Sequence, residues 1–200
     1  MLDALLRDEI AWLCQGSDGT LQASEPPRIL LPGSFNPLHL GHTGLAETVA
    51  ERLGLPVAFE ISVANVDKPE LTHDEVARRL QQFHAKHTVY VSRAATFRAK
   101  AALFPGCVFV VGADTAVRLV QPRFYGNDVA EMRLALDEIR GHGCEFVVGG
   151  RVDSGGRFVD VDGVAIPEGY RDMFLGLDER EFRVDVSSTR LRLSTSPARS

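Results

Sequence analysis

Several features are scarce in this 200-residue chain. No uninterrupted apolar run approaches the roughly 18 residues that a membrane-spanning helix needs. Three cysteines, Cys14, Cys107 and Cys144, are odd in number and far apart. They match neither a disulfide framework nor a zinc cluster, and they suit a reducing, cytoplasmic setting. Lysine is rare: of 22 basic residues only Lys68, Lys86 and Lys100 are lysines, and 27 acidic residues leave a net charge of −5. No basic stripe stands out to neutralise phosphates, which argues against a general nucleic-acid binder. The opening stretch MLDALLRDEIAWLCQG carries Asp3, Arg7, Asp8 and Glu9 where a secretory signal needs an unbroken apolar run. What is present, 44% hydrophobic and 24% charged residues, is the composition of a soluble globular domain. The length suffices to bury a core without staples.

Periodicity predicts an alternating α/β chain. Leu2, Leu5, Leu6, Ile10 and Leu13 fall at helical spacing, so an amphipathic helix is expected over 2–14, followed by a turn-rich linker over 15–27. Apolar strands are expected at 28–32, 57–64, 88–92, 107–111 and 144–149. Helices are expected at about 42–53, 73–84, 94–104, 115–120 and 128–140. Thr72 and Glu75 have the spacing of a capping box. Short strands alternating with helices imply a parallel sheet covered on both faces. Residues 151–161 break the rhythm: two alternating runs around Ser154-Gly155-Gly156 read as a β-hairpin excursion. The expected organisation is a helix and linker over 1–27 and one domain over 28–195.

The first strand of that domain runs into Gly33-Ser34-Phe35-Asn36-Pro37-Leu38-His39-Leu40-Gly41-His42. Ligands of open parallel sheets bind outside the carboxyl ends of the strands. Gly33 allows close backbone approach. A helix opening at Gly41-His42 would offer unpaired N–H groups and a positive dipole end to phosphate. His39 and His42 could aim imidazole donors at one polyphosphate, or serve only as caps or surface residues. As a metal pair they lack a third ligand set nearby.

GSFNPLHLGH resembles the signature of the HxGH nucleotidylyltransferases. A second signature of that superfamily, ISSTxxR-like, is similar to Val186-Ser187-Ser188-Thr189-Arg190-Leu191-Arg192. The resemblance covers residues 28–193 and implies a Rossmann-like doubly wound parallel sheet. It also implies direct transfer of a nucleotidyl group onto a phosphorylated acceptor. On that resemblance His39, His42 and Arg192 are the catalytic candidates. Gly33, Ser34, Phe35, Gly41, Gly112, Asp114, Ser187, Ser188 and Thr189 are the nucleotide-binding candidates. ATP is implied as substrate with Mg²⁺ held by phosphates and water, and no protein metal cage. Ser187 or Ser188 would also cap a short helix over 188–193. Unaided, Asp114 could equally cap the helix at 115–120, and Lys68 could be a solvated loop lysine rather than a ligand for substrate phosphate.

Gly112-Ala113-Asp114, the Asn65-Val66-Asp67-Lys68-Pro69 loop and the late Ser-Ser-Thr segment resemble most the nicotinamide and nicotinate mononucleotide adenylyltransferases. The chain departs from them where a Pro-Pro-His-Lys loop and a downstream tryptophan are usual; here Asp67-Lys68-Pro69-Glu70 and Phe124-Tyr125 stand. Those aromatics could stack on a ring or simply pack in the core. Arg78 or Arg79 could assist at a phosphate or lie on the surface, and Phe97 and Lys100 receive no role. The alternatives are a transferase of the same fold acting on phosphopantetheine, a sugar phosphate or an alcohol phosphate with ATP or CTP, or a non-catalytic nucleotide sensor. The expected partners are small nucleotides, not nucleic acid or membrane. The N-terminal helix would suit docking to a partner or a second copy in a homo-oligomer.

Overall fold

Ten short strands and six helices alternate along the described residues of the computed structural model, which are 1–66, 69–152, 156 and 158–182. In chain order they are α1 (Leu2–Leu6), β1 (Trp12–Gln15), β2 (Leu21–Gln22), β3 (Ile29–Pro32), α2 (Leu40–Leu53), β4 (Ala58–Ser62), α3 (His73–Leu80), β5 (Val89–Ser92) and α4 (Phe97–Leu103). There follow β6 (Val108–Gly112), α5 (Ala113–Leu119), α6 (Val129–Gly141), β7 (Glu145–Gly149), β8 (Arg151–Val152), β9 (Phe158–Val159) and β10 (Phe174–Gly176). Helix ends follow local chemistry. Thr96 caps α4, Asp128 caps α6, and Gly54 closes α2 in the left-handed region at φ 67°.

The main sheet has the order β10-β7-β6-β3-β4-β5-β1-β2. The six strands from β10 to β5 are parallel, and β1 and β2 add antiparallel at the β5 edge. Within the parallel part, β3, β4 and β5 run outward one way and β6, β7 and β10 the other. The strand direction of winding therefore reverses between β3 and β6, a doubly wound topology with its switch point there.

Alternation along the strands splits the core into two layers. Leu30, Phe109, Val111, Phe146 and Val148 face one side, against Ala101 of α4, Ala116 and Leu119 of α5, and Leu136 and Ile139 of α6. Ile29, Leu31, Phe59, Ile61, Val110 and Val147 face the other, against α1, α2 and α3. The central parallel strands are thus apolar on both faces, apart from the buried polar Glu60 of β4, which explains the continuous hydrophobic runs.

Three expectations need correcting. The helix expected over 2–14 stops at Leu6, because Asp8 turns into the left-handed region at φ 62°. From Trp12 the side chains alternate instead: Trp12 and Cys14 join one core layer and Leu13 the other. The expected linker contributes β2, so residues 1–27 are woven into the sheet. β10 was not anticipated; Phe174 stacks on Phe146 with centroids 5.0 Å apart. The hairpin is present as β8 paired with β9, with Ser154-Gly155 outside the described residues.

Candidate functional site

A cleft of about 330 Å³ opens at the carboxyl ends of β3, β6 and β7, directly over the switch point. Gly33, His39, Gly41, His42, Gly112 and Asp114 line it, as do Leu45, Thr115, Gly149, Gly150, Arg151 and Phe182.

The two histidines interlock. His39 is the N-cap of α2, and its Nδ1 accepts a hydrogen bond from the Gly41 N–H at 3.2 Å. The His39 N–H in turn donates to His42 Nδ1 at 3.3 Å. This is a capping box in which imidazoles take the places usually held by a hydroxyl and a carboxylate. The rings stack 3.7 Å apart at 22°. Since each Nδ1 accepts from a backbone N–H, the ring proton of each neutral imidazole sits on Nε2. Burial, and then the charge of His39, push the His42 pKa down to about 4; burial also lowers that of His39. Near neutral pH the pair therefore acts as two neutral Nε2–H donors rather than two cations. The N–H groups of Gly41 and His42, expected to be unpaired, are already engaged, by His39 Nδ1 and the His39 carbonyl. Donor capacity has passed from backbone to imidazole.

The turn carrying these rings is braced from beneath. Phe35 does not line the cleft as expected: it is fully buried, edge-on to His42 at 4.9 Å and packed against Phe59 and Phe83. A Cβ on Gly33 would meet its ring at 2.6 Å, so glycine is required there by packing. Ser34 also lies outside the cleft lining, with its carbonyl accepting from Arg79 at 2.9 Å. Gln82 donates to the Phe35 carbonyl and accepts from the Leu38 N–H, both at 2.8 Å. Arg78 donates to Asn36. Arg78 and Arg79 thus hold the loop in place of a phosphate. Thr72 caps α3 by accepting from the Glu75 N–H, but the Glu75 carboxylate turns to Arg78 and Arg79 instead of completing the box. Two guanidiniums outcompete one amide, and they lower the Glu75 pKa to about 2.

On the far side, Gly112 ends β6 and caps α5 without a side-chain bond, so Asp114 is not the cap. Its carboxylate faces Arg151, 2.8 Å away. Arg151, the first residue of the hairpin, was missed by sequence reasoning. The rule that pointed to Gly33 and Gly112, a glycine at the carboxyl end of a core strand, applies equally to Gly149-Gly150 and would have found it.

A second pocket of about 260 Å³ adjoins the first at Thr115. Its walls include Val66, Ala95, Thr96, Phe97, Arg118, Phe124 and Tyr125. Phe124 is 47% exposed, with Arg123 and Arg118 over its ring at 4.7 and 5.7 Å, and so is not a core residue. Tyr125 is tied by its hydroxyl to the Leu119 carbonyl. The hairpin's described residues reach the first cleft and not this one.

Beneath the second pocket, Lys100 proves to be buried. Its Nζ donates to both Glu60 carboxylate oxygens and to the Ala94 carbonyl, each at 2.7 Å. Ser92 donates to the same carboxylate at 2.6 Å and accepts from the Ala94 N–H. The network fixes the turn leading into Ala95-Thr96-Phe97. The Glu60 carbonyl also accepts from the Gly33 N–H, so β4 supports both pockets.

Lys68, Ser187, Ser188, Thr189 and Arg192, with the helix expected over 188–193, lie outside the described residues. Among the described residues no group of three His, Cys, Asp or Glu is placed to hold a metal ion, and no helix is long and apolar enough to cross a membrane.

A doubly wound sheet with a glycine-rich, histidine-capped turn at its switch point places the candidate site where open α/β sheets bind their ligands. The chain belongs to the cytidylyltransferase-like family, whose model matches residues 30–194. It is also 27% identical, over 118 residues, to a Schizosaccharomyces pombe (strain 972) protein named "Putative nicotinamide mononucleotide adenylyltransferase". The match takes in 52% of this chain and 47% of that protein, so the chain spans about half the length of its curated relative.

Proposed function

We propose that the chain is an HxGH adenylyltransferase that moves AMP from ATP to the phosphate of nicotinamide or nicotinate mononucleotide. The observation that carries the proposal is the interlocked His39–His42 pair at the switch point, next to a second, aromatic-walled pocket that shares Thr115. One pocket suits a triphosphate and the other a flat ring bearing a phosphate.

In this mechanism an oxygen of the acceptor phosphate attacks the α-phosphorus of ATP. The bond from that phosphorus to the α,β-bridging oxygen breaks, and pyrophosphate leaves with the bonding pair. No protein nucleophile takes part. The His39 and His42 Nε2–H groups donate to the phosphates, His42 nearest the α-phosphorus, and α2 turns its positive end toward them. Gly33, Gly41 and Gly112 allow close approach, and Asp114 faces the nucleoside. Ser187, Ser188, Thr189 and Arg192 are proposed for the β- and γ-phosphates, and Lys68 for the acceptor phosphate. Mg²⁺ would enter with ATP, held by phosphate oxygens and water, and would neutralise charge on the leaving pyrophosphate.

The test is pyrophosphate release, measured with ATP or CTP against nicotinamide mononucleotide, nicotinate mononucleotide and phosphopantetheine. Turnover is expected with ATP and a pyridine mononucleotide, and His42→Ala should lower it by about 10²-fold or more with the fold intact. Turnover only with another pair would replace the acceptor named here. ATP binding with no turnover on any pair would make the chain a nucleotide sensor.

A further inference from the structure

Residues 1–29 precede the part of the chain matched to the family, which begins at residue 30. They nevertheless flank the second pocket, because β1 pairs with β5. Val66 enters the wall of that pocket from the connection between β4 and α3, and Ala95, Thr96 and Phe97 enter it from the connection between β5 and α4. Val66 is 70% exposed, so its own packing does little to hold it there. Its position depends on where the connection is fastened.

One guanidinium fastens it. Arg93, the residue after β5, donates from Nη2 to the Glu70 carboxylate at 2.6 Å and from Nη1 to the Leu6 carbonyl at 3.2 Å. Its Nε lies 3.2 Å from the Asp8 carboxylate, and its main-chain N–H donates to the Ala11 carbonyl. Asp8 reaches it through the left-handed turn that ends α1, a conformation that aspartate tolerates better than most side chains. Beside Glu70, the Leu71 N–H donates to the Val63 carbonyl at 2.9 Å, and the Leu71 side chain packs on the core layer that holds Leu2 and Leu5 of α1. Asp8 and Glu70 are 75% and 54% exposed, so either ion pair alone is weak. Arg93 is only 22% exposed, and its planar fork engages three groups from two segments at once, the arrangement in which such pairs count.

We propose that Arg93 is a positioning residue that ties the connection between β4 and α3 to the N-terminal segment and so fixes the wall of the second pocket around the acceptor. The inference rests on the adenylyltransferase reading above, and the experiment separates the two. Steady-state kinetics with ATP and the pyridine mononucleotide that the parent uses, and hydrogen exchange at the Leu71 amide, would be measured on the intact chain, on Arg93→Ala and on Asp8→Gly. Glycine accepts the left-handed turn, so the second variant removes the carboxylate alone. Both variants should raise the KM for the mononucleotide about fivefold, with kcat and the KM for ATP unchanged. The Leu71 amide should exchange faster by a similar factor while the amides of β6 keep the parent rate. Equal rises in the two KM values would mark a general loosening and overturn the proposal. An unchanged mononucleotide KM in either variant would overturn it too, whatever the exchange shows. In those outcomes the function reading stands. If the parent turns over no pyridine mononucleotide, that reading fails and the Leu71 amide decides alone: faster exchange in both variants supports the brace, and an unchanged rate in either overturns it. Asp8 is largely exposed, so Asp8→Gly should melt close to the parent, and a folding defect in Arg93→Ala would be visible separately.

Discussion

His42→Asn should change how stability depends on pH. In the folded chain the imidazole is pressed under the His39 ring and against Phe35, and burial lowers its pKa from 6.5 to about 4. The unfolded chain takes up a proton on that ring below pH 6.5, whereas the folded chain resists until about pH 4. Stability from the neutral ring is therefore fully present above pH 6.5 and drains away as the pH falls toward 4. The interval between 6.5 and about 4, at 1.36 kcal/mol per pH unit, amounts to roughly 3 kcal/mol. Asparagine keeps an oxygen acceptor for the His39 N–H and cannot titrate. His39, also lowered by burial, pulls in the same direction in both proteins. Urea unfolding at pH 7.5 and 4.5 is the assay. The parent should lose about 2.5 kcal/mol more than the variant across that span, because pH 4.5 stops short of the folded-state pKa. Parallel profiles for the two proteins would show that the ring is not held neutral by burial, and the two-donor picture of the turn would fail.

Lys100→Met should cost about 3–5 kcal/mol, because it strands the Glu60 carboxylate, 1% exposed, with Ser92 as its remaining side-chain donor. The double variant Glu60→Gln/Lys100→Met should recover much of that loss; additive penalties in denaturant titrations would contradict a mutually compensating buried pair. Gln82→Ala removes the two hydrogen bonds that clamp the histidine turn to the short turn, residues 81–83, that follows α3. The stability loss should be about 1–2 kcal/mol, while kcat/KM for ATP falls about tenfold. Unchanged kinetics in the folded variant would mean that the turn keeps its shape without this brace.

Much of the site was legible because its determinants are local. The His39–His42 box closes within four residues, Gly33 and Gly112 follow core strands at once, and each parallel strand is marked by an apolar run bounded by turn residues. The parallel sheet covered on both faces followed from that alternation and its doubly wound order from the resemblance carried by GSFNPLHLGH, with which membership of the cytidylyltransferase-like family agrees. Local pattern also misled. Leu2, Leu5, Leu6, Ile10 and Leu13 keep helical spacing across a break at Asp8, since a short helix followed by a strand can present apolar side chains at the same intervals.

Tertiary structure decided the rest, for the reason that the partners are distant in sequence. β1 is a strand because β5, more than seventy residues later, offers it an edge. Lys100 is a buried cation because Glu60, forty residues earlier, meets it in the core. Phe35 belongs to the core and Phe124 to a pocket, although both are aromatic residues in loops; only packing separates them. Arg151 faces Asp114 across the cleft because β6 and β7 run in register, Gly112 opposite Gly149. Hydrogen bonds within one turn can be read from spacing, but which side chains converge from separate strand ends depends on strand order and register, which no local pattern encodes.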